Sequence, residues 1–168
     1  MTLVEHLLRV DPSRPLLILP TDAPTAAELV LGWADASLTV RSVRGSKART
    51  LESLFDEFSA ALQFPYYFGE NWPAFSECLA DLDWLSAQTG FVVVIYEASQ
   101  LLQDEQSEEL AALVRAIYNA AASFGEPLND SEWWDRPALP FHVVLADQNR
   151  DALGLWQEAG AELVTAEP

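Results

Sequence analysis

Apolar residues recur along this chain in two rhythms. Arg14–Pro20 (RPLLILP), Phe91–Tyr96 (FVVVIY) and Phe141–Ala146 (FHVVLA) hold unbroken apolar runs, whereas Leu38–Gly45 (LTVRSVRG) alternates Leu38 and Val40 with Thr39 and Arg41. Short unbroken runs bounded by turn residues predict strands covered on both faces, and alternation predicts a half-exposed strand. Between them the spacing becomes helical. Thr21 or Asp22 with Pro24 opens a helix over Ala26–Ala36 that ends near Gly32 or Asp35. Ser46 or Thr50 starts a helix running to Leu62, with Leu51, Leu54, Phe55, Phe58 and Leu62 on its core face. A further helix is predicted over Ser107–Ala122, followed by a Pro-, Gly- and Asx-rich loop over Ser123–Pro140. After the last long strand, Asp147 or Asn149 caps a helix to about Glu158, Gly160 ends it, and Ala161–Ala166 adds an edge strand. Strands separated by helices imply an α/β domain with a parallel sheet packed with helices. Phe91–Tyr96 and Phe141–Ala146 should be near neighbours in that sheet, and Arg14–Pro20 should extend it.

One segment departs from these simple rhythms. Phe64–Leu85 (FPYYFGENWPAFSECLADLDWL) concentrates Phe64, Tyr66, Tyr67, Phe68, Trp72, Phe75 and Trp84 around Gly69. Tyr66 and Tyr67 stand in a turn-like run, and rigid aromatics on a loop beside carboxylates suit a binding surface. Asn71 or Trp72 can cap the helix that follows, and Pro73 fits a first turn where a missing N–H costs nothing. Trp72, Phe75, Leu79 and Leu82 repeat at helical spacing, while Ser76, Glu77, Asp81 and Asp83 fall off that stripe. One short helix therefore buries one face and shows a mostly acidic one. Gly69 and Asn71 also have a purely conformational reading, as a loop glycine and a helix cap.

Composition narrows the function classes. The 168 residues suffice for one core, and half of them are hydrophobic, which opposes disorder. No run approaches the ~18 apolar residues of a membrane helix. The opening residues Met1–Pro15 lack the basic start and apolar centre of a signal peptide, so the expected compartment is the cytoplasm. The single cysteine, Cys78, permits no internal disulfide, and its place beside Leu79 reads as a small buried hydrophobe. The net charge of −17 repels phosphate backbones and attracts basic proteins.

An enzyme reading finds little support. Of the two histidines, His6 lies in an amphipathic N-terminal segment and is expected to be solvated, and His142 lies within a buried strand. There is no nucleophile elbow, no phosphate-cradling loop and no zinc-protease motif, and Gly69-Glu70-Asn71 lacks the glycines of a nucleotide fingerprint. Glu77 and Asp81 are four apart on one helix face, a spacing that usually means a solvated acidic face rather than an acid/base pair or cation site. No catalytic residue, metal site or cofactor is expected.

The residues from Phe64-Pro65 through Cys78-Leu79 resemble the barstar family of ribonuclease inhibitors, whose pattern is F-P-x-Y-[YF]-G-E-N-[LW]-x-A-[LF]-x-[DE]-C-L. The resemblance covers roughly Leu38 to Ala146, and the order of predicted elements fits it. It implies a barstar-like domain over 38–146, with 1–37 as an N-terminal strand–helix extension of the same domain and 147–168 as a C-terminal helix extension. It further implies an acidic inhibitor that binds a basic ribonuclease or related toxin as an immunity partner; the alternative is a protein-binding module of the same fold without inhibitory activity. In that family the loop and helix of the motif plug the nuclease's active-site cleft. Tyr67, Gly69 and Asn71 match the contact loop, Trp72 an apolar contact, and Glu77 the main acidic hot spot. Asp81 extends the same acidic face, and Trp84 lies near an interface-edge tryptophan. At the pattern's variable positions, Pro73 stands where the family's type member has a second central aspartate, and Ser76 where it has a tryptophan.

Overall fold

The computed structural model describes residues 1–87 and 89–165. In chain order its elements are α1 (Leu3–Leu7), β1 (Leu16–Leu19), α2 (Ala23–Asp35), β2 (Thr39–Arg44), α3 (Leu51–Leu62), α4 (Trp72–Asp81), β3 (Phe91–Tyr96), α5 (Ser107–Gly125), β4 (Phe141–Ala146), α6 (Gly154–Glu158) and β5 (Leu163–Thr165). The strands form one five-stranded sheet in the order β2-β3-β4-β1-β5. Every pairing is parallel, with Phe91 opposite Phe141, Leu16 opposite Val143 and Leu16 opposite Leu163.

Period two along the strands divides the core. Phe91, Val93, Ile95, Val143 and Leu145 pack with α3, α4 and α5 on one face, while Val92, Val94, Val144, Leu17 and Leu19 pack with α1 and α2 on the other. Strands covered on both faces have no polar side to show, which is why β3 and β4 read as unbroken apolar runs. The chain crosses from β1 to the far edge through α2, then returns through β3, β4 and β5 with α3–α6 on the opposite face. Reversing direction and face together is what a uniform crossover hand requires.

The element limits follow from local chemistry. Asp22 and Thr50 accept hydrogen bonds from the N–H groups of Thr25 and Ser53, capping α2 and α3. Gly45 follows β2 where a Cβ would meet the Glu97 carbonyl at 2.2 Å, so only glycine fits between the ends of β2 and β3. The C-terminal helix is shorter than its spacing suggested. Asn149 accepts from Ala152 N–H and Asp147 from Ser99 and Asn149 N–H, so both acceptors organise turns, and α6 begins only at Gly154. Trp156 anchors it, fully buried with Nε1 donating to the Ala98 carbonyl. Of the expected Ala161–Ala166 edge strand, Leu163–Thr165 is β5, and Ala166 lies outside the described residues.

His6 is only partly solvated. Its ring packs edge-on against His142 at 5.7 Å, and its Nε2 is buried without a partner. His142 is fully buried; its Nε2–H donates to the Arg9 carbonyl at 2.9 Å, which leaves Nδ1 unprotonated and unpartnered. Burial is the main force holding both imidazoles below their usual pKa. An unfolded histidine takes up a proton below about pH 6.5, whereas the folded pair resists it. Stability should therefore be unaffected by this pair above that pH. It should fall through the window below, by about 1.4 kcal/mol for each unit by which the His142 pKa is depressed. Urea unfolding between pH 7.5 and 5 should show this slope, and His142→Gln should flatten it; an unchanged slope in that variant would assign the pH dependence to other groups.

Candidate partner-binding site

The motif segment is a tightly organised loop followed by a capped helix. Gln63 ends α3 in the left-handed conformation, with φ 52°. The chain then turns back, with Phe64 N–H donating to the Ser59 carbonyl and Phe68 N–H to the Pro65 carbonyl. Asn71 spans loop and helix: its Oδ1 accepts from Ala74 N–H at 2.9 Å and its Nδ2 donates to the Gly69 carbonyl at 3.0 Å. Gly69 is close to that amide, since a Cβ would stand 3.0 Å from Nδ2. Phe75 is fully buried amid Phe55, Phe58, Phe64 and Trp72, with ring centroids at 5.1–5.8 Å. This aromatic cluster lies under the loop and fixes where it projects.

Two side chains project from that loop without cover. Tyr66 is 106% exposed and Tyr67 80% exposed. The sequence reading chose Tyr67; the structure presents both. Trp72 and Trp84 are placed differently. Trp72 is half-buried, with Nε1 donating to Glu109 at 2.6 Å, and Trp84 is half-buried, with Nε1 donating to the Leu62 carbonyl at 2.8 Å. Both indole N–H groups are thus committed to the protein's own framework. Ser76 is likewise engaged, its hydroxyl accepting from Asn119 Nδ2.

The acidic face of α4 is as the spacing implied. Glu77, Asp81 and Asp83 are exposed, and among the described residues none of them forms a salt bridge. Partial burial raises the Asp81 carboxyl above its ordinary pKa, helped by the charges of Asp83 and Glu77 and opposed by Arg136. Cys78, buried on the inner side, has its thiol pushed up by burial and by the same neighbouring carboxylates, which makes it a packing residue.

Glu77 and Asp81 line a cleft of about 650 Å³ whose other wall is the loop after α5. Sequence reasoning passed over that loop as a connection. It carries Trp133, 87% exposed, and Trp134, 45% exposed. The cue was present in the paired tryptophans among Asp130, Glu132 and Asp135, but a Pro- and Asx-rich stretch reads first as turn chemistry. Tyr67, Gly69, Asn71 and Trp72 therefore belong to the loop and the start of α4. Glu77 and Asp81 face the cleft, and Trp84 is held toward Phe64 at 6.2 Å between ring centroids.

No group of three or more His, Cys, Asp or Glu side chains suited to a metal occurs among the described residues. The β1–α2 turn is the place where a phosphate loop would sit in a parallel sheet of this kind. Here it reads Pro20-Thr21-Asp22, without glycine or lysine. The Asp22 carboxylate already accepts from Thr25 N–H and would repel a phosphate. No helix among the described residues is long and apolar enough to cross a membrane.

These features define a parallel α/β/α protein with an exposed tyrosine loop and an acidic helix face that forms no salt bridge among the described residues. Residues 38–146 match the family described as "Barstar (barnase inhibitor)", and the chain belongs to that family. The comparison with curated proteins finds no match. Among solved structures, the crystal structure of Cdc6p from Pyrobaculum aerophilum is similar at TM-score 0.57 and 16% identity, over 99% of this chain and 42% of that one. A structure of Drosophila ORC bound to AT-rich DNA and Cdc6 gives TM-score 0.49 and 12% identity, over 93% of this chain and 49% of that one. The chain thus spans less than half of either, and at such identity the first likeness concerns the fold alone.

Proposed function

We propose that this chain binds and blocks a basic ribonuclease or related toxin protein as an immunity partner, using the Tyr66–Tyr67 loop and the acidic side of α4, without a cofactor and without catalysis of its own. The observation that carries this reading is the coincidence of the family motif with exposed tyrosines on its loop and, among the described residues, exposed carboxylates without salt bridges on its helix. Carboxylates that stand in for substrate phosphates against arginine and lysine form charge-assisted, often bidentate hydrogen bonds. A net charge of −17 speaks against RNA or DNA as the direct ligand. Residues 38–146 supply the family domain, with 1–37 and 147–168 as flanking extensions that complete its sheet.

The test is capture of a basic ribonuclease by the full chain, followed by an RNase assay with and without it. Stoichiometric loss of activity supports inhibition; capture without loss favours a binding module of the same fold. Pro73 and Ser76 motivate that second reading, since they stand where the family's type member has an aspartate and a tryptophan. Association should slow steeply as salt rises from low to physiological ionic strength, while dissociation changes less, because long-range attraction steers encounter but is screened beyond about 10 Å. Stopped-flow on-rates that stay flat across that range would remove steering from the account.

A further inference from the structure

The wall of the cleft opposite α4 is a built hairpin. Leu128 and Arg136 exchange backbone hydrogen bonds at 2.9 and 3.2 Å, and Asp135 accepts from the N–H groups of Asp130 and Ser131 across the tip. Its base is fastened by Arg136, whose guanidinium donates to the carbonyls of Ser123, Phe124, Glu126 and Pro137 and lies 5.0 Å from the Phe124 ring centroid. At the tip, Trp133 and Trp134 pack edge to face at 5.5 Å, and Asp130 accepts from Trp134 Nε1. Two indoles are thus held exposed by an ordered frame, at a place where folding alone would favour polar residues.

Across the cleft stand Glu77, Asp81 and Asp83. Arg136, on the hairpin side, eases the charge of Asp81 from a distance, but among the described residues neither it nor any other cation forms a salt bridge with these three carboxylates. An apolar occupant would desolvate them without a direct ion-pair partner, and an acidic or phosphate-bearing one would be repelled. A guanidinium satisfies both walls, because its planar face stacks on an indole and its edge donates to carboxylates.

We propose that the groove between α4 and the Trp133–Trp134 hairpin docks an arginine-bearing segment of a basic protein partner, with the two tryptophans selecting arginine. This rests on the reading of the chain as a binder of a basic protein, and it adds to the motif helix a second, sequence-distant wall.

The experiment is an NMR titration of the ¹⁵N-labelled full chain at low salt with the capped peptide acetyl-Gly-Arg-Gly-Arg-Gly-amide, and with the same peptide carrying citrulline for arginine. Saturable shifts are expected at the indole N–H groups of Trp133 and Trp134 and at the backbone amides of Ala80–Asp83. Affinity should fall at least tenfold with the citrulline peptide, and likewise in Asp81→Asn and in the double variant Trp133→Ala/Trp134→Ala. Both variants should keep the wild-type dispersion of amides elsewhere. Equal binding of the citrulline peptide, arginine binding indifferent to these substitutions, or no saturable shift would each overturn the proposal. Indole shifts that grow with protein concentration alone would do so too, by making a second copy of the chain the occupant. The titration uses no nuclease, so failure to capture a ribonuclease leaves its outcome intact. Conversely, a nuclease inhibited as tightly by the double tryptophan variant as by wild type would remove the groove while leaving inhibition in place.

Discussion

Phe75→Ala is expected to lower the unfolding free energy by about 3–5 kcal/mol, the range for deleting a fully buried aromatic ring. Phe75 has no exposed surface and is enclosed by the rings of Phe55, Phe58, Phe64 and Trp72. Rigid rings collapse poorly into a void, so the cavity term should persist beside the lost transfer free energy. The change should also loosen the loop that carries Tyr66 and Tyr67, since the same cluster supports it from below. Urea denaturation followed by indole fluorescence measures the first effect, and amide exchange over Phe64–Asn71 the second. A loss below about 1 kcal/mol would mean that the cluster repacks around the gap.

Glu77→Ala should show the opposite division, with a large effect on binding and a small one on stability. Glu77 is exposed and carries no ion pair among the described residues, so its removal should change folding stability by no more than about 0.5 kcal/mol. On the proposed reading it should weaken the complex by on the order of 2 kcal/mol or more, and by more than removal of any other single acid. Glu77 keeps a carboxylate at a central motif position, whereas Pro73 has replaced the other. Truncating it would leave a partner arginine or lysine buried without its counter-charge. Tyr67→Ala should also weaken binding through lost aromatic contact. Isothermal titration against the captured ribonuclease decides the matter: a silent Glu77→Ala beside a damaging Tyr67→Ala would place recognition on the loop alone and retract the role given to α4.

Much of this architecture was present in the one-dimensional pattern, for a physical reason. Local periodicity is set by which faces of an element are covered, so Phe91–Tyr96 and Phe141–Ala146 announced themselves as buried parallel strands, and of the cap candidates Ser46 or Thr50 and Asn71 or Trp72 the structure uses Thr50 and Asn71. The motif Phe64–Leu79 carried the family, and its helical spacing separated the buried stripe from the acids. What the chain could not state along its length was which distant segments share a surface. Strand order is settled by packing between elements, and that packing puts β1 between β4 and β5. His6, read as solvated, is turned by α1 against His142 in a contact that spans most of the chain. Trp133 and Trp134 looked like part of a connector. Only when α5 returns beside α4 do they stand opposite Asp81, because a groove is a property of two surfaces and the sequence describes each one separately.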